Sequence, residues 1–422
     1  MRTVLAALLL ATCAGARAQM AMGTPHNFED EIRRHATSGT SAEPNSVPQP
    51  MFMNMRGNWM LMFHGNAFLA DTQQSGPRGA DKLFSTNWWM PMAQRTRGRN
   101  QLTLRAMLSL EPATVTDRQY PLLFQQGETA YGKPIVDGQH PHDFFMEAAL
   151  LDDVSMGKRG LLTLYAAPVG DPALGPVAFP HRASALEDPV ATLGHHQEDS
   201  THIADDVVTA GFAQGWARLE VSGFHGREPD EHRWEVQQGA LDSWSTRLTL
   251  QPGQNWSGQI SYGRLHSPEA LFPSEDQART TASAMYNREL RAGGNWVSTV
   301  LWGRTRSLPD NVIQNSYLLE STAGFGRNHA WTRIENVDRT TELLLGESAI
   351  PPDFHEEPAG RVQAFTFGYD RDVLHIPGWS TAVGAQVTAY HSGSRLAPVY
   401  GTDPVGAVVF VRFRPGRVHV DQ

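Results

Sequence analysis

The sequence predicts an all-β fold, an up-and-down antiparallel transmembrane β-barrel of about 16 strands with short periplasmic turns and long extracellular loops. Three observations predict it. Segments of alternating apolar and polar residues recur between residues 58 and 414, the connections between them alternate between short and long, and Trp residues stand near many of the short connections. A closed barrel with both termini on one side of a membrane requires such alternating connections, whereas a soluble sandwich or propeller does not.

The N-terminus has the features of an export signal. An apolar stretch at residues 4–11, too short to span a bilayer, precedes an A-x-A cleavage site at residues 16–18. Residues 1–18 are therefore predicted to be a signal peptide for Sec-type export, and acylation of Cys13 as a lipoprotein is the alternative. Cleavage before Gln19 removes the only cysteine, which excludes thiol catalysis and disulfide bonds in the mature chain.

The mature chain divides into three parts. Residues 19–56 are polar and rich in Pro and Ser, with a charged run at residues 29–34, and we expect them to form a flexible periplasmic N-terminal leader. Residues 57–414 contain the repeating segments and form the predicted barrel. Residues 415–422 are a C-terminal tail.

Sixteen alternating segments, each bounded by Gly, Pro, Asn or Asp, are predicted to be strands. They lie near residues 58–70, 82–95, 101–110, 142–152, 161–166, 204–213, 216–224, 244–251, 256–263, 279–289, 295–303, 316–326, 329–340, 361–371, 379–390 and 406–414. Tight turns are predicted at residues 98–100, 156–158, 214–215, 252–253, 292–294, 327–328 and 377–378. Long loops are predicted at about 71–81, 111–141, 167–203, 225–243, 264–278, 304–315, 341–360 and 391–405. This pattern is typical of bacterial outer-membrane barrels.

Each strand has an apolar and a polar face. Leu102 and Leu104 share one face of the third segment, whereas Thr103 and Arg105 share the other. We expect the apolar face to contact lipid and the polar face to line the lumen. Trp residues near the turns are expected to form an aromatic girdle at the bilayer interface. They include four that directly follow Asn, namely Trp59, Trp88, Trp256 and Trp296.

Composition excludes several functional classes. The formal net charge of −9 and the lack of a basic cluster argue against nucleic-acid binding. The mature chain has no apolar run of the length needed for a transmembrane helix. Serine-hydrolase, zinc-protease and P-loop motifs are missing, so we expect no enzymatic activity. A hydrolase that uses Ser200 beside His196 and Asp199 is the least favoured hypothesis.

Two stretches carry a family resemblance. The segment from Tyr131 to Met146, YGKPIVDGQHPHDFFM, and the segment from Gly194 to His202, GHHQEDSTH, resemble an uncharacterised group of Gram-negative proteins predicted to be porin-like outer-membrane barrels. Residues 223–230 and 315–320 match as well. The resemblance implies the cell outer membrane as the location, and it assigns no activity. Outer-membrane lipid, lipopolysaccharide and the barrel assembly machinery are the expected partners, and homo-oligomerisation is left open.

The longest loop, 167–203, is a candidate constriction. Its five acids against Arg182 leave a charge of −4. In general porins the third outside loop, which follows the fifth strand, folds inward, and we expect the same here by analogy of architecture. Acids facing lumenal arginines would create a transverse field. The candidate residues are Glu187, Asp188, Glu198 and Asp199 on the loop and Arg105, Arg218, Arg247 and Arg412 on the wall.

Histidine and methionine clusters are candidate metal ligands. Imidazole and carboxylate suit Zn²⁺ or Cu²⁺, and thioethers prefer Cu⁺. The candidates are His140, His142, His195, His196, Asp199 and His202 in the loops, and Met60, Met62 and His64 in the first strand. The alternatives are neutral histidines bonded to loop groups and methionines that only pack, because no spacing matches a strong metal motif.

The sequence thus favours a passive outer-membrane channel for small hydrophilic solutes, with loop 167–203 as the acidic constriction and no required cofactor. A copper- or zinc-handling barrel is the second hypothesis, and a barrel-borne hydrolase is the third. The solute, the oligomeric state and the pore radius are not predicted.

Overall fold

A computed structural model describes residues 25–157, 160–199, 204–346, 348–351, 354–376 and 378–415. The predicted signal peptide, Ser200, His202 and nearly all of the C-terminal tail lie outside the described residues. In chain order the elements are α1 (Phe28–Arg34), β1 (Phe52–Arg56), β2 (Trp59–Gln74), β3 (Asp81–Arg97), β4 (Asn100–Leu108), α2 (Glu111–Thr114), β5 (Tyr120–Pro121), β6 (Glu128–Ala130), β7 (Lys133–Ile135), β8 (Gly138–Gln139), β9 (Phe145–Met156), β10 (Gly160–Gly170), α3 (His195–Glu198), β11 (Ala204–Gln214), β12 (Ala217–His225), β13 (Ser243–Gly253), β14 (Trp256–Leu265), β15 (Asp276–Glu289), a 3₁₀ turn (Arg291–Gly293), β16 (Asn295–Leu308), β17 (Ile313–Phe325), β18 (Asn328–Thr340), α4 (Glu342–Leu345), β19 (Pro358–Ile376), β20 (Trp379–Ser392), α5 (Ala397–Tyr400) and β21 (Val405–Pro415).

Sixteen of these strands, β2 to β4 and β9 to β21, form one closed antiparallel barrel. Each strand pairs with its neighbours along the chain, and β2 pairs with both β3 and β21, which closes the ring. Closure gives every described strand of the ring two partners, as a wall in hydrocarbon requires, because no water there can bind free N–H and C=O groups. The predicted fold class and strand number are confirmed.

The first strand of the ring has an additional partner that the sequence pattern did not predict. β21 pairs with β2 from Ala67 to Gln74, and β1 pairs with the remaining half of β2, with Phe52 opposite Phe63 and Arg56 opposite Trp59. The turn between β1 and β2 contains Gly57 at a φ of 60°. Residues 52–56 are thus part of the sheet, although we expected them in a flexible leader.

The connections alternate in length as predicted, with tight turns at one end and loops at the other. One predicted long loop, 304–315, is in fact mostly strand, because β16 and β17 stay paired until Arg306 opposite Ile313. Backbone pairing continues beyond the apolar stretch because polar side chains on both sides of the ladder remain hydrated there. The apolar pattern therefore underestimates the lengths of these two strands.

The two faces of the wall are those predicted. Leu104 is 45% exposed on the outside of the isolated chain, whereas the neighbouring Arg105 is 3% exposed and points inward. Trp256 and Trp296 are exposed on the outer face, as an aromatic girdle requires. Trp88 is an exception to the predicted girdle, because it lies in mid-strand and is buried on the lumenal face.

Helices are short and lie in the connections and the N-terminal segment. No helix among the described residues is long and apolar enough to cross a membrane. Two small ladders, β5 with β8 and β6 with β7, give structure to the long connection between β4 and β9.

Candidate functional site

Three segments pack into the lumen, and together they define the candidate site. They are the inner segment (residues 25–51), loop 109–144 and loop 171–199. Most of their residues are buried, including polar and charged ones. Buried polar groups need partners, and those partners come largely from the inward face of the barrel wall.

The inner segment begins with an amphipathic helix. Asn27 caps α1 by accepting a hydrogen bond from the Asp30 amide at 3.0 Å. Phe28 and Ile32, one helical turn apart, pack against Leu161 of the wall. The charged run that we expected in a flexible leader therefore forms a helix inside the barrel, because its two apolar residues find an apolar partner there.

Arg105 holds the chain that follows this helix. Its guanidinium donates hydrogen bonds to the carbonyl oxygens of His35 at 2.9 Å, Thr37 at 2.7 Å and Gly39 at 2.5 Å. It also pairs with Glu147 at 2.7 Å. Arg105 was predicted to face a loop across an open pore. Instead, the N–H groups of its guanidinium are taken up by these partners, and Arg105 anchors the inner segment.

Arg218 and Arg247 have the same role further around the wall. Arg218 donates to the Thr40 carbonyl, and Arg247 donates to the Thr40 hydroxyl at 2.9 Å. Both guanidiniums share Glu220, at 3.2 and 3.0 Å. Arg218 and Arg247 were predicted to face the acids of loop 171–199, but among the described residues neither of them pairs with an acid of that loop.

Loop 171–199 folds inward, and three of its four predicted acids form ion pairs with arginines. Glu187 forms ion pairs with Arg412 and, at 2.9 Å, with Arg414. Asp188 pairs with Arg333 at 2.9 Å. The other two acids lie deeper in the loop: Asp199 is 3.2 Å from Arg182, and Glu198 accepts a hydrogen bond from Ser316 at 2.7 Å.

These pairings change the predicted electrostatics. Glu187, Asp188 and Asp199 each contact an arginine, so the structure holds ion pairs rather than two separated charged surfaces. Of the four predicted wall arginines, only Arg412 pairs with a loop acid among the described residues. Arg333 and Arg414, which the sequence did not single out, provide the remaining wall contacts.

The predicted histidines meet around a carboxylate of loop 109–144. Oε1 of Glu128 lies 3.0 Å from Nε2 of His196 and 3.3 Å from Nε2 of His140. Side-chain atoms of Glu128, His195 and His196 that could bind a metal lie within 4.8 Å of one another. We call Glu128, His140, His195 and His196 the histidine cluster.

Neighbouring carboxylates orient two further imidazole nitrogens. Nδ1 of His195 lies 2.6 Å from Asp199, and Nδ1 of His142 lies 2.9 Å from Glu111. A carboxylate on one ring nitrogen fixes the tautomer and directs the other nitrogen, as at many metal sites. His142 thus belongs to a neighbouring pair, and Asp199 supports His195.

Burial and charge set the protonation of the histidine cluster. Burial and the nearby Arg233 guanidinium hold the pKa of His140 well below its usual value. Burial also disfavours the charged form of His196, but the hydrogen bond and charge of Glu128 outweigh it and raise the pKa. Burial alone would raise the pKa of Glu128, but the surrounding imidazoles hold it below its usual range. Burial and the Arg233 charge therefore favour the neutral form of His140, which is the form that binds metals.

The methionine candidates lie elsewhere, on the lumenal face of the first strands. Met62 and His64 are buried there, and Met60 packs against the same group of residues. The lumenal assignment of Met60, Met62 and His64 follows from the alternation of β2, because Leu61 is exposed on the outer face.

One group of side chains at the turn end of the lumen was not predicted from the sequence. Glu187, His329 and Asp370 bring candidate ligand atoms within 4.8 Å of one another, and Glu187 and His329 line a cavity of about 510 Å³ together with Pro48 and Arg414. His329 and Asp370 lie on adjacent strands in direct register. Only strand pairing could have shown this, because the two residues are far apart in the sequence.

Solved structures of porins share this fold. The chain is similar to an anion-selective porin from Comamonas acidovorans (10% identity, 84% of this chain and 99% of that chain, TM-score 0.52). It is also similar to OprB from Pseudomonas putida (8%, 85% and 94%, 0.52) and OmpF from Salmonella typhi (9%, 86% and 100%, 0.50). At these identities the likeness shows the fold alone.

No protein-family model matches the chain, and no curated protein matches it either. The porin-like barrel therefore rests on the strand topology and on structural similarity.

Proposed function

We propose that the protein is an outer-membrane channel for small hydrophilic solutes whose lumen is closed, in this conformation, by the inner segment. The porin fold supports a location in the outer membrane of a Gram-negative cell, reached by Sec-type export. Lipid, lipopolysaccharide and the barrel assembly machinery are the partners such a location implies. Homo-oligomerisation is not needed for the proposal.

The path of the inner segment through the lumen is the observation that supports this proposal. It is bound to Arg105 on β4 and, through Ser46, to Asn287 on β15 at 2.9 Å. β15 is seven strands further around the 16-strand ring, close to the opposite wall. A segment anchored at both positions crosses the lumen and blocks the path of a solute. Loop 171–199 also folds inward and narrows the part of the lumen that the inner segment does not fill.

A deletion tests the proposal. Mature protein lacking residues 25–50 should conduct ions across a planar bilayer at least several-fold better than the intact chain, because the crossing segment is gone while β1 and the barrel strands remain. Slower migration after boiling would confirm that the deleted form is still a folded barrel. Equal conductance of the two folded proteins would contradict a blocking role, and no conductance in either would contradict the channel.

The histidine cluster supports a second candidate function, metal handling. Glu128, His140, His195 and His196 offer imidazole and carboxylate ligands, which suit Zn²⁺ or Cu²⁺. We expect the intact protein to bind one of these ions near neutral pH and to lose it as the imidazoles become protonated. Binding should be lost when His140, His195 and His196 are replaced together by Ala. Unchanged affinity in that folded variant would remove this function.

A further inference from the structure

Methionine side chains are concentrated on one sector of the lumenal wall. Met53 of β1 lies opposite Met62 of β2, which lies opposite Met92 of β3. Directly opposite residues have Cβ atoms about 4.5–5.5 Å apart. The three thioethers therefore form a row across three strands, and all of them are buried in one cluster.

A second row lies one step nearer the extracellular end. His64 of β2 lies opposite Met90 of β3. The β3–β4 register pairs Trp89 with Leu108 and Met92 with Arg105, which places Met107 beside Met90. Met90 and Met107 are both 0% exposed. An imidazole and two thioethers thus adjoin on the lumenal face.

A histidine from loop 171–199 completes the group. Nε2 of His181 lies 2.6 Å from Sδ of Met107. The His181 ring lies 4.0 Å from the Trp88 ring, and the His64 ring lies 4.8 Å from the same indole. His64 and His181 therefore both contact Trp88, while Met90 and Met107 adjoin them on the neighbouring strands.

One potential metal-ligand atom in this group lacks a hydrogen bond. His64 is 2% exposed, and its Nδ1 has no hydrogen-bond partner among the described residues. Leaving a buried polar atom unpaired is unfavourable, because the atom loses its hydrogen bonds to water and gains none in the protein. A metal ion would use this lone pair, whereas a cluster that served only for apolar packing would be better built with an apolar side chain at position 64.

We propose that His64, Met90, Met107 and His181 bind one soft monovalent cation, Cu⁺ or Ag⁺. Thioether sulfur is a soft ligand that selects Cu⁺ over hard cations, and imidazole is compatible with it. This site is separate from the histidine cluster, which offers no sulfur, and it does not depend on whether the barrel conducts.

Two arginines near the site have carboxylate partners, which limits their repulsion of a bound cation. Arg105 lies opposite Met92 in the adjoining row, and its charge is balanced by Glu147 at 2.7 Å. Arg414 interacts electrostatically with His64 and is paired with Glu187 at 2.9 Å. Both positive charges near the thioethers thus have a carboxylate partner.

Silver titration of the intact mature protein in detergent tests the site. We expect about one tightly bound Ag⁺ per chain, and the same stoichiometry for Cu⁺ held reduced and measured against a coloured chelator. X-ray absorption of the Cu⁺-loaded protein should show sulfur and nitrogen as nearest neighbours. A spectrum without sulfur neighbours would overturn the proposal even if binding occurs.

A double variant, Met90→Leu with Met107→Leu, separates ligation from packing. Such volume-conserving exchanges are usually tolerated in a protein core, so the barrel should form. We expect at least a tenfold loss of Ag⁺ affinity. Met285→Leu, a buried methionine on β15 in a different cluster, is the matched control and should bind normally. Undiminished affinity in the folded double variant would show that the methionines only pack.

Discussion

At the residue scale, buried guanidiniums determine how the lumen is filled. Arg105, Arg218, Arg247 and Arg412 are each at most 3% exposed, and each has a carboxylate partner. Removing one partner of a buried pair costs much more than removing both, because an uncompensated charge remains. Single substitutions at these pairs therefore report directly on the local electrostatics.

Glu187→Gln should make the opened lumen more selective for anions. The change removes the carboxylate that Arg412 and Arg414 share beside the cavity at the turn end, although Arg412 keeps Asp370 at 3.2 Å. In the form lacking residues 25–50, the reversal potential under a salt gradient should shift toward the equilibrium potential of the anion. The shift should shrink at high salt, because the Debye length falls from about 10 Å at 0.1 M to about 3 Å at 1 M.

Asp403→Asn is the control for this experiment, since it removes the same charge from an exposed residue of an extracellular loop. An equal shift in both variants would mean that Glu187 has no special position along the path of the ions.

Leu104→Arg should destabilise the barrel by about 2–4 kcal/mol if Leu104 faces the middle of the bilayer. Leu104 is exposed on the outer face of β4, and Asn100, at the turn end of the same strand, is exposed as well. Asn100→Arg should cost about 0–1 kcal/mol, because charges near the interface stay hydrated. Denaturant unfolding in lipid vesicles would measure both, and equal costs would contradict the assigned depth.

At the scale of single elements, α1 gives the inner segment one of its apolar contacts with the wall. Phe28 and Ile32 pack against Leu161, and further along the segment Val47 packs against Met285. Docking therefore combines several small apolar contacts with hydrogen bonds from wall arginines, which suits a segment that can be displaced without unfolding the barrel.

Ile32→Ala should weaken docking of the inner segment. A buried Ile-to-Ala change typically costs about 2–5 kcal/mol, and here the loss falls on the contact with Leu161. We expect faster cleavage of the segment by a protease added to the purified protein, and a higher conductance. Ile32→Leu, which keeps the volume, should behave like the parent. No difference between the two variants would show that α1 does not hold the segment in place.

At the scale of the whole molecule, the closed ladder gives the barrel its stability. Every strand of the ring has two partners, so detergent has no free edge at which to begin separating strands. The inner segment and two loops add contacts from within, but the ring does not need them for closure.

The mature protein should fractionate with outer membranes and migrate faster on a denaturing gel when unboiled than when boiled. The unboiled barrel stays compact because its backbone hydrogen bonds are internal. Recovery of the protein as a soluble periplasmic species would contradict the membrane barrel.

The sequence allowed much of the wall to be predicted, and less of the site. Period-two alternation located each strand, and the alternation of turns and loops gave the topology. The histidines of loops 109–144 and 171–199 could be proposed as neighbours because both loops leave the same end of the barrel. The partners of His196 and Glu187 could not be predicted, because Glu128 and Arg414 are distant in sequence and approach only when the loops fold inward.

The sequence by itself determined the closed barrel, its two faces and the end at which each connection lies. These follow from local patterns, because alternation decides which side chains meet lipid and loop length decides which strands are adjacent. Only the tertiary structure decided what fills the lumen. Residues 25–51 are polar and irregular in pattern, and their place inside the barrel depends on arginines of distant strands that need partners once the ring has closed.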